Sequence, residues 1–251
     1  MHMDVIDLRD FYSRPLGRVS RRLIDGQIQK LWPEVSGLNV LGLGFATPYL
    51  SPFIGKAERV LGFMPAAQGV LHWPASGPSH TALVDEADLP LDDETMDRVL
   101  VVHGIEGSDN LRAMLRQIWR VLAPGGRLLI VVPNRQSLWA RRETTPFGQG
   151  QPFSRGQITR LLRESMFSPC GWASTLYVPP VDWEPLLRSA NVWERAGDLM
   201  WPRFAGVFLI EATKQIYAAT PVPVRRRRVR VPAFGAPAPA GIAGATAIRH
   251  G

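Results

Sequence analysis

Five short apolar runs, separated by turn-rich, acidic or helix-like segments, constrain this chain more than any other feature. They are Leu38–Leu43, Arg59–Phe63, Thr81–Val84, Asp97–Val102 and Arg127–Val132. Asp97–Val102 shows no polar alternation, as expected of a strand covered on both faces. Between the last two runs, Leu111, Met114, Leu115, Ile118, Trp119 and Leu122 share one helical stripe that Pro124, Gly125 and Gly126 stop. Gly17–Trp32 places Val19, Leu23, Ile24, Ile28 and Leu31 at the same spacing and ends where Pro33 follows. Strand, helix and strand in alternation predict a doubly wound α/β sheet, with right-handed crossovers placing helices on both faces. After Pro133 the pattern loosens into a loop over 134–153, a helix at Ser154–Glu164 and a tryptophan-containing segment. A late strand is expected at Phe204–Ile210, and Gln215–Ala218 can extend it.

With 45% hydrophobic and 20% charged residues among 251, wholesale disorder is excluded. No apolar run approaches the roughly 20 residues a membrane-spanning helix needs. Met1–Asp10 is acidic and does not read as a secretory signal, so a cytoplasmic protein without a membrane span is expected. The single cysteine, Cys170, excludes an internal disulfide framework and a multi-cysteine zinc site. Cys170 itself reads as a small, semi-buried residue. His72 and His80 lack metal-ligand spacing, and no metal is expected.

The net charge of +7 is unevenly placed. Residues 221–251 carry Arg225, Arg226, Arg227, Arg228, Arg230 and Arg249 and no acidic residue, so +6 of the +7 lies there and +1 remains for residues 1–220. The expected organisation is a folded domain over 1–219, with a variable tryptophan-rich region at 134–203, and a disordered basic tail rich in Pro, Ala, Gly and Arg over 220–251. Arg225–Arg230 reads as a solvated tail, or as a contact for phosphates of nucleic acid, anionic lipid head groups or an acidic partner. No aromatic residue interleaves these arginines, which gives base stacking no support.

Three constellations have the chemistry to form a site. Gly42-Leu43-Gly44-Phe45-Ala46 brings small residues to the end of a strand, serving either close approach to a ligand or strand–helix packing. Asp85 and Glu86 follow the third run; a carboxylate there either faces solvent or accepts from an exocyclic amine such as that of adenine. His103 follows the fourth run and reads as a packing residue or as a general base near neutral pH. Trp139, Trp172, Trp183, Trp193 and Trp201 read partly as core and partly as a binding surface.

These motifs, with Leu89-Pro90 and Val121-Leu122-Ala123-Pro124-Gly125-Gly126 at their spacing, make residues 37–135 resemble the class I S-adenosylmethionine-dependent methyltransferases. The resemblance implies a three-layer, Rossmann-like fold. Its seven-stranded, mostly parallel sheet has an antiparallel edge strand, Phe204–Ile210 belongs to the last hairpin, and Gly17–Trp32 covers the site. It implies S-adenosylmethionine as cofactor, with Gly42, Gly44, Ala46, Met64, Asp85, Glu86 and His103 around it and His103 as the catalytic candidate. The sequence departs from the family's pattern at several of these positions. Gly42 stands at an acidic position, Ala46 and Pro48 replace glycines, and Met64 replaces the carboxylate that grips the ribose. Hydrogen bonds to charged groups contribute roughly 1.5–3 kcal/mol each, so losing that grip weakens cofactor binding about tenfold to a few hundredfold.

Two functions stand. One is methyl transfer to an unidentified small-molecule or protein acceptor. The alternative is a catalytically inactive methyltransferase-fold subunit that binds or regulates a partner protein, with the tryptophan-rich segment meeting that partner and the tail an acidic partner or anionic surface. A third reading is a nucleic-acid binder acting through the tail. Phe45, Pro48 and Met64 decide between the first two, because any of them can plug the pocket.

Overall fold

The computed structural model describes residues 3–216; the arginine-rich tail expected at 220–251 lies outside them. Seven strands form one sheet in the order β3-β2-β1-β4-β5-β7-β6. They are β1 (Asn39–Gly44), β2 (Arg59–Pro65), β3 (Thr81–Val84), β4 (Met96–Val102), β5 (Leu122–Pro133), β6 (Phe167–Thr175) and β7 (Val207–Lys214). The first five pair in parallel, and β7 runs antiparallel to both of its neighbours. The reversed strand therefore lies one place in from the edge, with β6 outside it.

Successive residues of the central strands feed opposite cores, as the two-residue strand period requires. Val40, Val60, Leu100, Leu129 and Leu209 enter one apolar cluster, with Leu8 and Phe11 of α1 (Val5–Ser13) and Ile24 and Ile28 of α2 (Pro15–Leu31). Leu41, Phe63, Val99, Val101, Ile130 and Ile210 enter the other. There they meet Met114, Leu115 and Ile118 of α4 (Leu111–Val121) and Ile158 and Leu162 of α5 (Arg155–Glu164). Helix starts follow local chemistry: Asn110 accepts from Ala113 N at 3.2 Å, and Ser154 and Gln157 close a capping box.

The structure departs from the sequence expectation in three places, one being that β5 begins at Leu122, five residues before the expected Arg127 and at a residue expected in the helical stripe. The helix that covers the carboxyl ends of the strands is α1, whereas α2, expected to do so, packs along β6 and β7. Trp32, just past α2, donates from Nε1 to the buried Glu211 of β7 at 2.9 Å. α1 escapes a periodicity reading because it is nine residues long and mixes Asp7, Arg9 and Asp10 with its apolar face. The expected strand Phe204–Ile210 begins three residues later, because Pro202–Phe204 forms a 3-10 turn.

Of the five tryptophans in the second half, Trp139 is core and donates to Val178 O at 2.8 Å. Trp172, Trp183, Trp193 and Trp201 remain between 36% and 62% exposed. The last two belong to an apolar face with Leu138 and Phe204. Behind it, Glu194 of α7 (Ala190–Met200) accepts from Thr175 Oγ1 at 2.6 Å, Leu176 N at 3.1 Å and Tyr177 N at 2.7 Å. These three bonds fix the turn at Leu176, whose φ is +64°.

Gly44 ends β1 with φ +79°, and a Cβ there would lie 2.4 Å from Val102 O and 3.0 Å from Gly104 N. Both the conformation and the β1–β4 approach require glycine. Gly44→Ala should lower the free energy of unfolding by about 2–4 kcal/mol, read from denaturant melts. A loss under about 0.5 kcal/mol would show that β1 and β4 can separate there.

Candidate functional site

Parallel register brings four strand ends to one edge: Gly44 pairs with Val102, and Pro65 with Val84. The next residues, Ala66, Asp85 and His103, therefore crown the sheet where open α/β folds bind ligands. A cavity of about 340 Å³ opens there, within the roughly 300–1,000 Å³ of small-molecule sites. Its walls include Pro65, Gln68, Asp85, Glu86, His103 and Gly104.

Asp85 is exposed, and its Oδ1 accepts from Ala87 N at 2.8 Å, which orients the carboxylate at the rim. Glu86 accepts from Ser108 Oγ, so that side chain is held too. His103 is 8% exposed, with a left-handed φ of +51°, a conformation that β-branched residues avoid and His tolerates. Gln68 Nε2 donates to His103 O at 2.9 Å and secures that turn.

A buried hydrogen-bond chain runs beside the cavity. Tyr49 OH donates to Tyr12 OH at 2.9 Å, so the single Tyr12 proton goes to His103 Nε2 at 2.7 Å. His103 then carries its own proton on Nδ1 and donates to Glu106 Oε1 at 3.0 Å. This polarity places a donor at Nδ1, facing Glu106. Both ring nitrogens are engaged, so the imidazole offers no lone pair to the cavity. That differs from the general base expected at this position: as arranged, His103 positions its neighbours. Burial, then Tyr49 and Glu106, raise the Tyr12 phenol well above its usual 10.0. Burial likewise raises Tyr49.

The other expected site residues sit lower. Gly42, Gly44, Ala46 and Met64 are buried and line no part of the cavity. A Cβ on Gly42 would meet Leu50 Cδ1 at 2.6 Å and Ala46 Cβ at 2.8 Å, so that glycine serves strand–helix packing. Phe45 is buried and stacks on Tyr12 with centroids 5.7 Å apart and planes 15° apart. Phe147 packs on His103 with centroids 5.0 Å apart. Aromatic rings thus fill the space over the end of β1, while the space over β2, β3 and β4 stays open. Of the three residues that could plug the pocket, none lines this cavity. The structure brings Asp85, Glu86 and His103 together and adds Gln68, Glu106 and Tyr12, which sequence reading missed. A Gln three residues past a strand end carries no motif, and Tyr12 is 91 residues from its partner.

A family model of a methyltransferase domain matches residues 41–130. The ubiquinone/menaquinone biosynthesis C-methyltransferase of Rubrivivax gelatinosus is 28% identical over 109 residues, covering 42% of this chain and 43% of that protein. Residues 41–130 match a methyltransferase domain and lie within a Rossmann-like methyltransferase fold. S-adenosylmethionine is the cofactor of such a domain. The chain spans less than half the length of that curated relative.

Solved structures share the fold. One is a Thermotoga maritima S-adenosylmethionine-dependent methyltransferase described as a possible histamine N-methyltransferase. It has a TM-score of 0.58 at 18% identity, over 84% of this chain and 96% of that one. A chain from a Haloferax volcanii complex between the Trm112 activator and a methyltransferase gives 0.60 at 18%, over 86% and 100%. At such identities the likeness carries the fold and nothing of the acceptor.

The residues present fit the nucleoside end of the cofactor. Asp85 can accept from an exocyclic amine at the rim, and the cavity beside it has the volume for a purine. The β1 loop supplies no wall to this space, and no carboxylate ends β2. No group of three or more His, Cys, Asp or Glu among the described residues is placed to hold a metal ion.

Because the two buried phenols keep their protons in the fold, stability should hold below pH 10 and fall above it, where the unfolded chain sheds those protons first. Tyr12→Phe should lower stability by about 1–3 kcal/mol at neutral pH and flatten the alkaline decline. Thermal melts across pH 7–11 check this (the range brackets the ordinary phenol pKa of about 10); an unchanged alkaline slope would place the phenol in contact with solvent.

Proposed function

We propose that this protein is an S-adenosylmethionine-dependent methyltransferase whose nucleoside pocket is the cavity over β2, β3 and β4. The observation that carries the reading is the oriented Asp85 carboxylate at the rim of that cavity, in a domain matched by the methyltransferase family model. Bound there, the cofactor supplies an electrophilic methyl group on a sulfonium centre. The chain's own residues then do positional work. Asp85 accepts from the exocyclic amine, and Glu86 adds negative charge beside it. Tyr12, Phe45 and Phe147 exclude water over the neighbouring strand end, and His103, locked at both nitrogens, holds Glu106 in place. The acceptor enters from the side of α1 and the 146–150 segment, which wall a smaller adjoining cavity.

The aromatic packing over β1 favours a second reading, a methyltransferase-fold subunit that binds or regulates a partner without turnover. The exposed Trp193, Trp201 and Phe204 offer that partner a surface; the Haloferax neighbour is itself from a complex with an activator protein. Calorimetric titration with S-adenosylhomocysteine separates the readings. Saturable binding that Asp85→Ala weakens about tenfold, the loss of one charge-assisted hydrogen bond, supports the first. The absence of heat at millimolar ligand would end it and leave the second.

A further inference from the structure

Two buried acceptors near His103 have no hydrogen-bond partner among the described residues. Gln68 spends its Nε2 on His103 O, which leaves Oε1 unbonded; Glu106 spends Oε1 on His103 Nδ1, which leaves Oε2 unbonded. Each residue is 91% buried. Flipping the Gln68 amide would set oxygen against the His103 carbonyl oxygen, so its orientation is fixed. Both residues line the same small cavity of about 30 Å³, walled otherwise by Met3, Leu8 and Pro146 among others. Buried acceptors left unsatisfied are destabilising, and a buried carboxylate is more so without a cation. The cavity has room for one small group; a single water needs only about 10–15 Å³.

The surrounding charge selects what that group is. This cavity shares Gln68, His103 and Gly107 with the larger one. Across both, the charged walls among the described residues are Asp85, Glu86, Glu106 and Asp109, with no lysine or arginine among them. The complement is a compact donor-only cation with an apolar stem, since Leu8 and Met3 face methylenes and the larger cavity receives the rest of the molecule.

We propose that Gln68 Oε1 and Glu106 Oε2 form a receptor for an alkylammonium group. Two molecules can bring one: a primary-amine methyl acceptor, or the amino-acid end of the cofactor itself. The assignment deepens the methyltransferase reading and rests on it for the identity of the bearer, while the receptor can be tested alone.

The test uses the full chain with n-butylammonium chloride and n-butanol as probes, followed by ligand-observed NMR. The expected result is that n-butylammonium binds at least tenfold more tightly than n-butanol. Glu106→Gln, isosteric and still able to accept from His103, should lower that affinity about tenfold to a hundredfold. Gln68→Met should lower it to a smaller extent. Thermal melts of both variants confirm that they fold.

Repeating the titration with the protein saturated in S-adenosylhomocysteine names the source. Persistent binding assigns the receptor to an amine acceptor. Displacement assigns it to the cofactor's ammonium, provided that Glu106→Gln also weakens S-adenosylhomocysteine but not 5′-methylthioadenosine, which lacks the amino acid. Equal binding of n-butylammonium and n-butanol, or folded variants that bind the amine as the parent does, would overturn the proposal and leave a water-filled cavity. Failure of S-adenosylhomocysteine to bind would count against the proposed function while the amine titration still reads the receptor.

Discussion

The bond from the Tyr12 phenol to His103 Nε2, 2.7 Å long, joins an N-terminal helix to the end of a central strand. Much else at this end of the molecule depends on it. It fixes the imidazole tautomer, which sends the Nδ1 proton to Glu106 and leaves one Glu106 oxygen without a partner. It also draws α1 down over the sheet, where Val5 N donates to Gln68 O at 2.8 Å and Leu8 closes the small cavity. A buried chain with one direction of donation is strengthened by its low-dielectric setting and is correspondingly sensitive to the loss of any member.

The sheet makes this arrangement possible by holding its strand ends level. Gly44 lets β1 approach β4 closely enough that Gly104 lies against it, and the left-handed turn at His103 swings its carbonyl toward Gln68. The glycines of the first strand thus serve packing between elements. The side chains that wall the two cavities come instead from the turns after β2, β3 and β4, where Gln68, Asp85 and Glu106 are found.

The fold was legible because its signals are local. The runs Leu38–Leu43, Arg59–Phe63, Thr81–Val84 and Asp97–Val102 appear as strands close to their expected limits, Arg127–Val132 lies within the longer β5, and Leu111–Val121 is a helix that buries Met114, Leu115 and Ile118 of the expected stripe. The site was legible only where a residue directly follows a strand, as Asp85, Glu86 and His103 do. Gln68 and Glu106 matter because of which of their atoms lack partners, a property of three-dimensional bonding that no spacing encodes. Tyr12 was hidden by sequence distance. Position-by-position matching placed Gly42 and Met64 at a ligand; the structure gives their space to Leu50, Ala46 and the core, a volume question that identity at a motif position does not answer.

The Glu194 clamp has a consequence for the apolar face in front of it. By tying α7 to the backbone at Leu176 and Tyr177, it fixes the chain from which Trp193 projects, so that the backbone needs little further ordering when something covers this face. Association there would forgo part of the loop entropy that usually opposes complex formation. Contact strength at that face would then depend on how well the incoming surface matches its contour.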